Sequence, residues 1–194
     1  NGDTAYLQKT PTLSDRRTFT WSGWVKRSSF SSQHMFDGYT SSSQWTGMYI
    51  NSAHKLVFQR QQDGVDNAVS SEKVFRDGTN WYHFVFSIDT SQGTEAYRVR
   101  IYANGEEQTL IESSSGYPIV NLPLIINIPN QSTTHLIGKY GGSTGGNFDG
   151  YFAEMNFVDG HALKPEAFGE QKNGVWIPKS YSVNISEISR TDGT

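Results

Sequence analysis

Cysteine is absent from the 194 residues, which removes disulfides, thiolate nucleophiles and cysteine-held zinc or iron–sulfur groups together. Oxygen and imidazole chemistry remain. The five histidines, His34, His54, His83, His135 and His161, show neither i,i+4 nor His-x-His spacing, so no zinc site or paired histidine base is expected. His83 alternates with Trp81 and Val85 and reads as a packed, hydrogen-bonded ring. Gly141-Gly142-Ser143-Thr144-Gly145 satisfies G-x-S-x-G, and its glycines imitate a phosphate loop. A nucleophile elbow or a phosphate loop must lead into a helix, whereas Asn147-Phe148 and a strand pattern follow here. A flexible Gly/Ser loop explains both matches.

Aromatic rings among small polar residues carry more. Tyr39-Thr40-Ser41-Ser42-Ser43-Gln44-Trp45 and Lys139-Tyr140-Gly141-Gly142 place Tyr39, Trp45 and Tyr140 in polar loops. A pyranose offers an apolar C–H face to a ring and hydroxyls to planar polar side chains, so these loops suit carbohydrate. The competing reading is that a chain with 13% aromatic residues leaves some rings on any sheet surface or packs them on neighbouring subunits. Asn130-Gln131-Ser132 and Asn184-Ile185-Ser186 match the glycosylation pattern without a secretory context to support it.

The elements that must position these residues read as strands. In residues 17–26, Phe19, Trp21, Gly23 and Val25 share one face. Residues 81–89 put Tyr82, Phe84, Phe86 and Ile88 together, and 97–103 do the same for Tyr97, Val99, Ile101 and Ala103. Asn104-Gly105 has the residues of a type I′ turn and predicts a hairpin return over 108–111. Further strands are expected at 5–9, 35–38, 47–51, 55–61, 68–75, 134–140 and 148–158. Asp-Gly turns at 37, 63, 77, 149 and 159 punctuate them. Residues 164–168 read as one helical turn with Pro165 early and Gly169 as its stop. The prolines at 118, 123 and 129 make 113–129 a surface excursion. Periodicity fades from about residue 172. The expected architecture is all-β, two antiparallel sheets packed face to face as a jelly roll. One domain over 1–181 precedes a tail or linker over 182–194.

Composition narrows the partners. Only 18% of residues are charged, and 16 Lys+Arg against 19 Asp+Glu give a net charge of -3, far from the basic footprint of a nucleic-acid binder. No run of about 18 apolar residues and no signal-peptide pattern is present, so membrane insertion is not expected. The chain opens with Asn1 and reads as a piece of a longer polypeptide.

Three segments in order resemble the concanavalin A-like lectin/glucanase superfamily in its laminin-G-like branch. They are Thr18-Phe19-Thr20-Trp21-Ser22-Gly23-Trp24-Val25-Lys26, then Trp81-Tyr82-His83-Phe84-Val85 with Arg98-Val99-Arg100-Ile101-Tyr102-Ala103-Asn104-Gly105, then Phe148-Asp149-Gly150-Tyr151-Phe152-Ala153-Glu154-Met155-Asn156-Phe157. Residues 159–170, followed by Gly174-Val175-Trp176-Ile177-Pro178-Lys179, are similar to domains of structural and tail-associated proteins of tailed phages. The resemblance implies a jelly roll carried on a virion, on a tail fibre or similar appendage. There it would contact host-surface glycan and other virion proteins, without catalysis and as a homo-oligomer in the particle. The alternatives are a structural or decorating domain making protein contacts, and a glucan-cleaving enzyme.

For cleavage, the resemblance points to Glu154, Asn156 and Asp159, where related endo-glucanases carry Glu-x-Asp-x-x-Glu. Retaining hydrolysis needs two carboxyls about 5–5.5 Å apart. Here the centre is an amide, and Asp159 faces away from Glu154 on a regular strand. For Ca2+, laminin-G-like relatives use Asp, Asn and carbonyl oxygens at the sheet rim, which makes Asp37, Asn147 and Asp149 the metal candidates. Asn147 also joins Tyr39, Trp45 and Tyr140 in the expected ligand-binding set.

Overall fold

The computed structural model describes residues 5–12, 15–128, 131–143 and 145–180. In chain order the strands are β1 (Leu7–Lys9), β2 (Thr18–Arg27), β3 (Gln33–Ser41), β4 (Gln44–Ile50), β5 (Lys55–Gln62), β6 (Val65–Val74), β7 (Tyr82–Asp89), β8 (Val99–Ala103), β9 (Glu106–Glu107), β10 (Leu110–Ser114), β11 (Thr134–Ile137), β12 (Gly150–Asp159), β13 (Gly169–Lys172) and β14 (Val175–Pro178). A front sheet of seven strands runs β1-β11-β3-β4-β5-β6-β10, a back sheet of five runs β12-β2-β7-β8-β9, and β13–β14 form a separate hairpin. Pairing is antiparallel throughout both layers, as the alternation in the sequence requires. Short 3₁₀ turns at Glu95–Tyr97 and Pro165–Ala167 are the only helical backbone among the described residues. None of the helical segments among the described residues is long and apolar enough to cross a membrane.

The two-residue period of each strand sends one set of side chains between the sheets. Phe19, Trp21 and Val25 of β2, Phe84, Phe86 and Ile88 of β7, and Val99 and Ile101 of β8 meet Phe36, Met48, Ile50, Phe58 and Val69 of the front sheet in one buried cluster. Each such side chain, fully removed from water, contributes about 1.5–3 kcal/mol. Rings lock the layers at one end: Phe157 stacks on Phe19 at 5.2 Å and on Phe36 at 5.3 Å.

Several expectations are corrected. Asn104 (φ 51°) and Gly105 (φ 84°) do form the tight turn, but the return is only Glu106–Glu107. The chain then crosses over, and Leu110–Ser114 pairs with β6 of the front sheet. The crossover lets Leu110 pack on the central cluster while the two glutamates stay in water. Residues 113–129 are likewise not wholly a surface excursion, because Leu124, Ile125 and Ile126 are completely buried. Proline bars this stretch from a ladder, so other groups satisfy its backbone. Leu124 N–H donates to the Arg16 carbonyl (2.8 Å), Ile125 N–H to Thr46 Oγ1 (3.0 Å), and His135 Nε2–H to the Ile126 carbonyl (2.9 Å).

Gly38, read as a turn residue with Asp37, lies mid-strand in β3, and a Cβ there would sit 2.2 Å from the Ile125 carbonyl oxygen. The glycine makes room for this plug. The fading periodicity from about residue 172 hides the return strand of a true hairpin, β13–β14, turned by Asn173 (φ 52°) and Gly174 (φ 80°). The expected boundary at residue 181, the tail 182–194 and both glycosylation-pattern asparagines, Asn130 and Asn184, lie outside the described residues.

Two predictions follow from the core. Ile126→Ala should lower unfolding free energy by about 2–5 kcal/mol in urea titrations, whereas Ile119→Ala, at a residue 65% exposed in the same stretch, should change it by less than about 0.5 kcal/mol. Burial pulls both His83 and His135 down to about 4. Unfolded imidazoles titrate near 6.5, so between about 6.5 and about 4 the unfolded chain binds more protons than the folded one. Stability should be complete above pH about 6.5 and fall as pH drops toward about 4, by as much as about 3 kcal/mol per ring. Denaturation curves across that window and imidazole NMR titrations measure it.

Candidate functional site

The face of β3 and β4 opposite the core gathers the expected rings. Antiparallel register sets His34 against Tyr49, Asp37 against Gly47 and Tyr39 against Trp45. The next strands bring Gln59 opposite Gly47, Gln61 opposite Trp45, and Asp66 opposite Gln61. Tyr39 and Trp45 therefore belong to strands flanking a tight turn, not to a loop as their polar neighbours suggest. Tyr140 arrives on a strap, residues 138–143 and 145–146, that crosses this face. His34 N–H donates to the Gly146 carbonyl (2.8 Å), and Gly141 N–H donates to Asp37 Oδ2 (3.0 Å).

Asp37 is the post to which the strap is tied. It is fully buried; its Oδ1 accepts from His34 Nδ1 at 2.7 Å while Oδ2 takes the Gly141 amide. Burial pushes its carboxyl up, and the hydrogen bond and charge of His34 and the Gly141 amide pull the other way. The His34 ring stacks on Tyr49 at 4.4 Å with the planes 6° apart and meets Tyr140 at 4.6 Å. Trp45 meets Tyr140 edge-on at 5.3 Å. Tyr39 packs on Gly141 so closely that a Cβ there would lie 2.2 Å from its ring.

Amide side chains finish the surface. Trp45 Nε1–H donates to Gln61 Oε1 (2.9 Å). Tyr49 O–H donates to Gln59 Oε1 (2.5 Å), and Gln59 Nε2–H donates on to Asp66 Oδ1 (2.8 Å). Desolvation first, and the nearby Asp66 and Asp37 charges next, raise Tyr49, so the phenol stays protonated and donating. Desolvation also raises Tyr140, with help from Asp37 and Tyr39. The result is a fixed aromatic floor bordered by planar amides. Trp45, only 5% exposed, supports the floor, and the half-buried rings of Tyr39, Tyr49 and Tyr140 face outward. Three of the four expected ligand residues thus converge. Asn147 follows the strap, half-buried. His34, Tyr49, Gln59 and Gln61 were missed; the alternation of Trp45, Gly47 and Tyr49 was the signal that could have found Tyr49.

The carboxylates suggested for cleavage do not form a pair. β12 carries a bulge between Ala153 and Asn156, and Glu154 sits in it, exposed, with φ 48°. Asn156 aligns with Ser22 and Asp159 with Phe19, on opposite faces, so the bulge does not bring them together. At about 3.3 Å per residue, Glu154 and Asp159 are on the order of 15 Å apart along the strand, against about 5–5.5 Å for a retaining pair. Asn156 Nδ2–H donates to the Glu154 carbonyl (2.9 Å), and Asp159 Oδ1 accepts from Asp15 N–H.

Of the calcium candidates, Asp37 is already engaged. Both Asp37 oxygens are engaged inside the protein, and Asp149 binds Ser28 and Gln33 through its backbone carbonyl. Among the described residues no three His, Asp or Glu side chains are gathered as a metal would require.

The two-sheet antiparallel sandwich is a jelly roll, and the chain belongs to the concanavalin A-like lectin/glucanases superfamily. The matching family is Laminin_G_3, over residues 1–167. No curated protein matches the chain in sequence. Among solved structures it is similar to the CBM40 of Ruminococcus gnavus IT-sialidase bound to α2,6 sialyllactose, at 14% identity and TM-score 0.54, covering 78% of this chain and 90% of that one. It is also similar to domain 4 of AbnA, a GH43 extracellular arabinanase from Geobacillus stearothermophilus in complex with arabinotriose, at 18% identity and TM-score 0.55, covering 79% and 66%. Mouse laminin α1 chain domains LG4-5 match at 12% identity and TM-score 0.56, covering 92% of this chain and 42% of that one. At these identities the likeness is one of fold.

Gly47 tests the arrangement. A Cβ there would lie 2.7 Å from Asp37 Oδ1 and 2.8 Å from the Trp45 ring. Gly47→Ala should displace Asp37 and release the strap, at a cost of about 1–3 kcal/mol. Urea titration and the NMR shifts of the His34 ring and the Gly141 amide measure both effects.

Proposed function

We propose that this domain binds carbohydrate on the outer face of the front sheet, with pyranose rings resting on Tyr140, Tyr49 and Tyr39 and hydroxyls taken by Gln59, Gln61 and Asp66. The observation that carries this reading is the convergence of four aromatic residues and His34 on one face, with the neighbouring amides already oriented by Trp45 and Tyr49. Stacking and planar hydrogen bonding are what a neutral, hydroxyl-rich ring needs from a protein in water. The sialyllactose and arabinotriose complexes of proteins with this fold support the same use of the scaffold.

The binding is non-catalytic, since Glu154 and Asp159 lack the spacing of a hydrolytic pair. Its setting is a tailed-phage virion, on an appendage that meets host-surface glycan, a reading that rests on the similarity of residues 159–179 to phage tail-associated domains. Single sites of this open kind bind weakly, and several copies in one particle supply avidity.

Glycan-array binding and calorimetry test the proposal. Tyr140→Ala and Gln61→Ala should each weaken binding about tenfold or more, a loss near 1.4 kcal/mol. Undiminished binding in both variants clears this face. Location of the domain inside an intact particle, ringed by subunits, would replace adhesion with a decorating role. Release of reducing ends from a β-glucan, lost in Glu154→Gln, would make the protein a hydrolase.

A further inference from the structure

A second cleft lies on the other side of the sandwich, where the β13–β14 hairpin covers the end of the back sheet. It encloses about 450 Å³, and Trp24, Trp81, Trp176, Asn80, Asn104 and Gln171 are among the residues that line it. Three of the chain's five tryptophans meet here, none of them part of the front-sheet site.

The inner wall is built rigidly. His83 stacks on Trp24 (5.1 Å) and lies beside Trp176, with ring centres 6.0 Å and planes 22° apart. Trp176 Nε1–H donates to His83 Nδ1 at 2.9 Å, and since an indole nitrogen only donates, Nδ1 is the accepting nitrogen and Nε2 carries the proton toward Ser22 Oγ at 2.8 Å. A Cβ on Gly105 would come within 2.6 Å of the Trp176 ring, and one on Gly169 within 2.5 Å, so bare backbone holds this indole on both sides. Trp24, itself nine-tenths buried, has an indole N–H with no hydrogen-bond partner among the described residues.

The outer wall is open. Trp81 is 40% exposed, and Tyr151, 61% exposed, extends the aromatic surface beyond it at 6.5 Å. Planar amides complete the lining. Asn104 spends its carbonyl on the His83 amide, and its NH2 has no partner among the described residues. Asn80 gives its NH2 to Asp77, and its carbonyl has none. One donor and one acceptor are thereby offered at the rim. The charged lining residues, Lys73 and Glu106, lie 3.9 Å apart and offset each other.

From this lining we infer a second carbohydrate site, selective for uncharged pyranoses. A neutral sugar ring lies on Trp81, and its hydroxyls reach the Asn80 carbonyl and the Asn104 NH2. Lys73 and Glu106 offset each other, so the lining offers no net charge to hold an ionised ligand, and the flat Trp81 ring suits the C–H face of a neutral sugar. The site stands independently of the front-sheet proposal, because no residue is shared.

Indole ¹H–¹⁵N spectra of the full chain, with the five Trp signals assigned, test this. The probes are cellotetraose, maltotetraose and laminaritetraose, with sialyllactose as the charged comparison. At least one neutral probe should shift the Trp24, Trp81 and Trp176 signals saturably, and sialyllactose should not. Trp81→Ala and Asn80→Ala, both at exposed positions, should each weaken that response about tenfold. Tyr140→Ala should leave it unchanged. Cleft signals that stay still with every neutral probe overturn the inference, as does a response equally strong in both cleft variants. The front-sheet proposal is read separately from the Trp45 signal, so either site can fail alone.

Discussion

The structure depends on how its aromatic side chains divide between the two faces of each strand. Phe19, Trp21, Phe36, Phe58, Phe84 and Phe86 turn inward and are excluded from water almost completely. With no disulfide available, that burial must hold the layers together. The same alternation forces neighbouring residues outward. In β3 and β4 it exposes Tyr39 and Tyr49, and in β2 and β7 it puts Trp24 and His83 on the back. Core and binding surfaces are consequences of one pleat, and a one-residue slip would exchange them.

Much of this was legible in the residues. The alternating runs of β2, β7 and β8 gave the fold class, and Asn104-Gly105 gave a tight turn, because each signal is local. What failed was non-local. Asp37-Gly38 reads as a turn by type, yet Gly38 is in mid-strand because residues 124–126 approach its backbone from far along the chain. The Leu124 to Ile126 plug reads as surface because proline bars it from a ladder, and nothing nearby announces that Arg16, Thr46 and His135 satisfy its backbone. Of the site, Tyr39, Trp45 and Tyr140 were visible by composition. The role of Asp37 was not, since a carboxylate in an Asp-Gly pair looks like turn chemistry or a metal ligand until His34 and the Gly141 amide are seen to occupy it.

Local backbone chemistry also explains why the two outer faces differ. The front face is bridged by a strap whose amide and carbonyl groups are fastened to β3, leaving a broad floor. The back face is covered by residues 160–179, where Leu163, Ala167 and Phe168 pack on Val85 and Tyr102 in a small second core. At the end of that cover, beside the Asn104-Gly105 turn, a cleft remains.

The bulge at Glu154 has a consequence for how copies of this domain meet. β12 is an outer strand of the back sheet, and a long, flat outer strand is a template on which another chain can add. Here the extra residue breaks the ladder, increases the local twist and sets a carboxylate in the gap. The opposite border, β9, is two residues long and consists of Glu106 and Glu107. Ribbon-to-ribbon fusion of neighbouring back sheets is disfavoured at both margins, so crowded copies would stay discrete and touch through side chains alone.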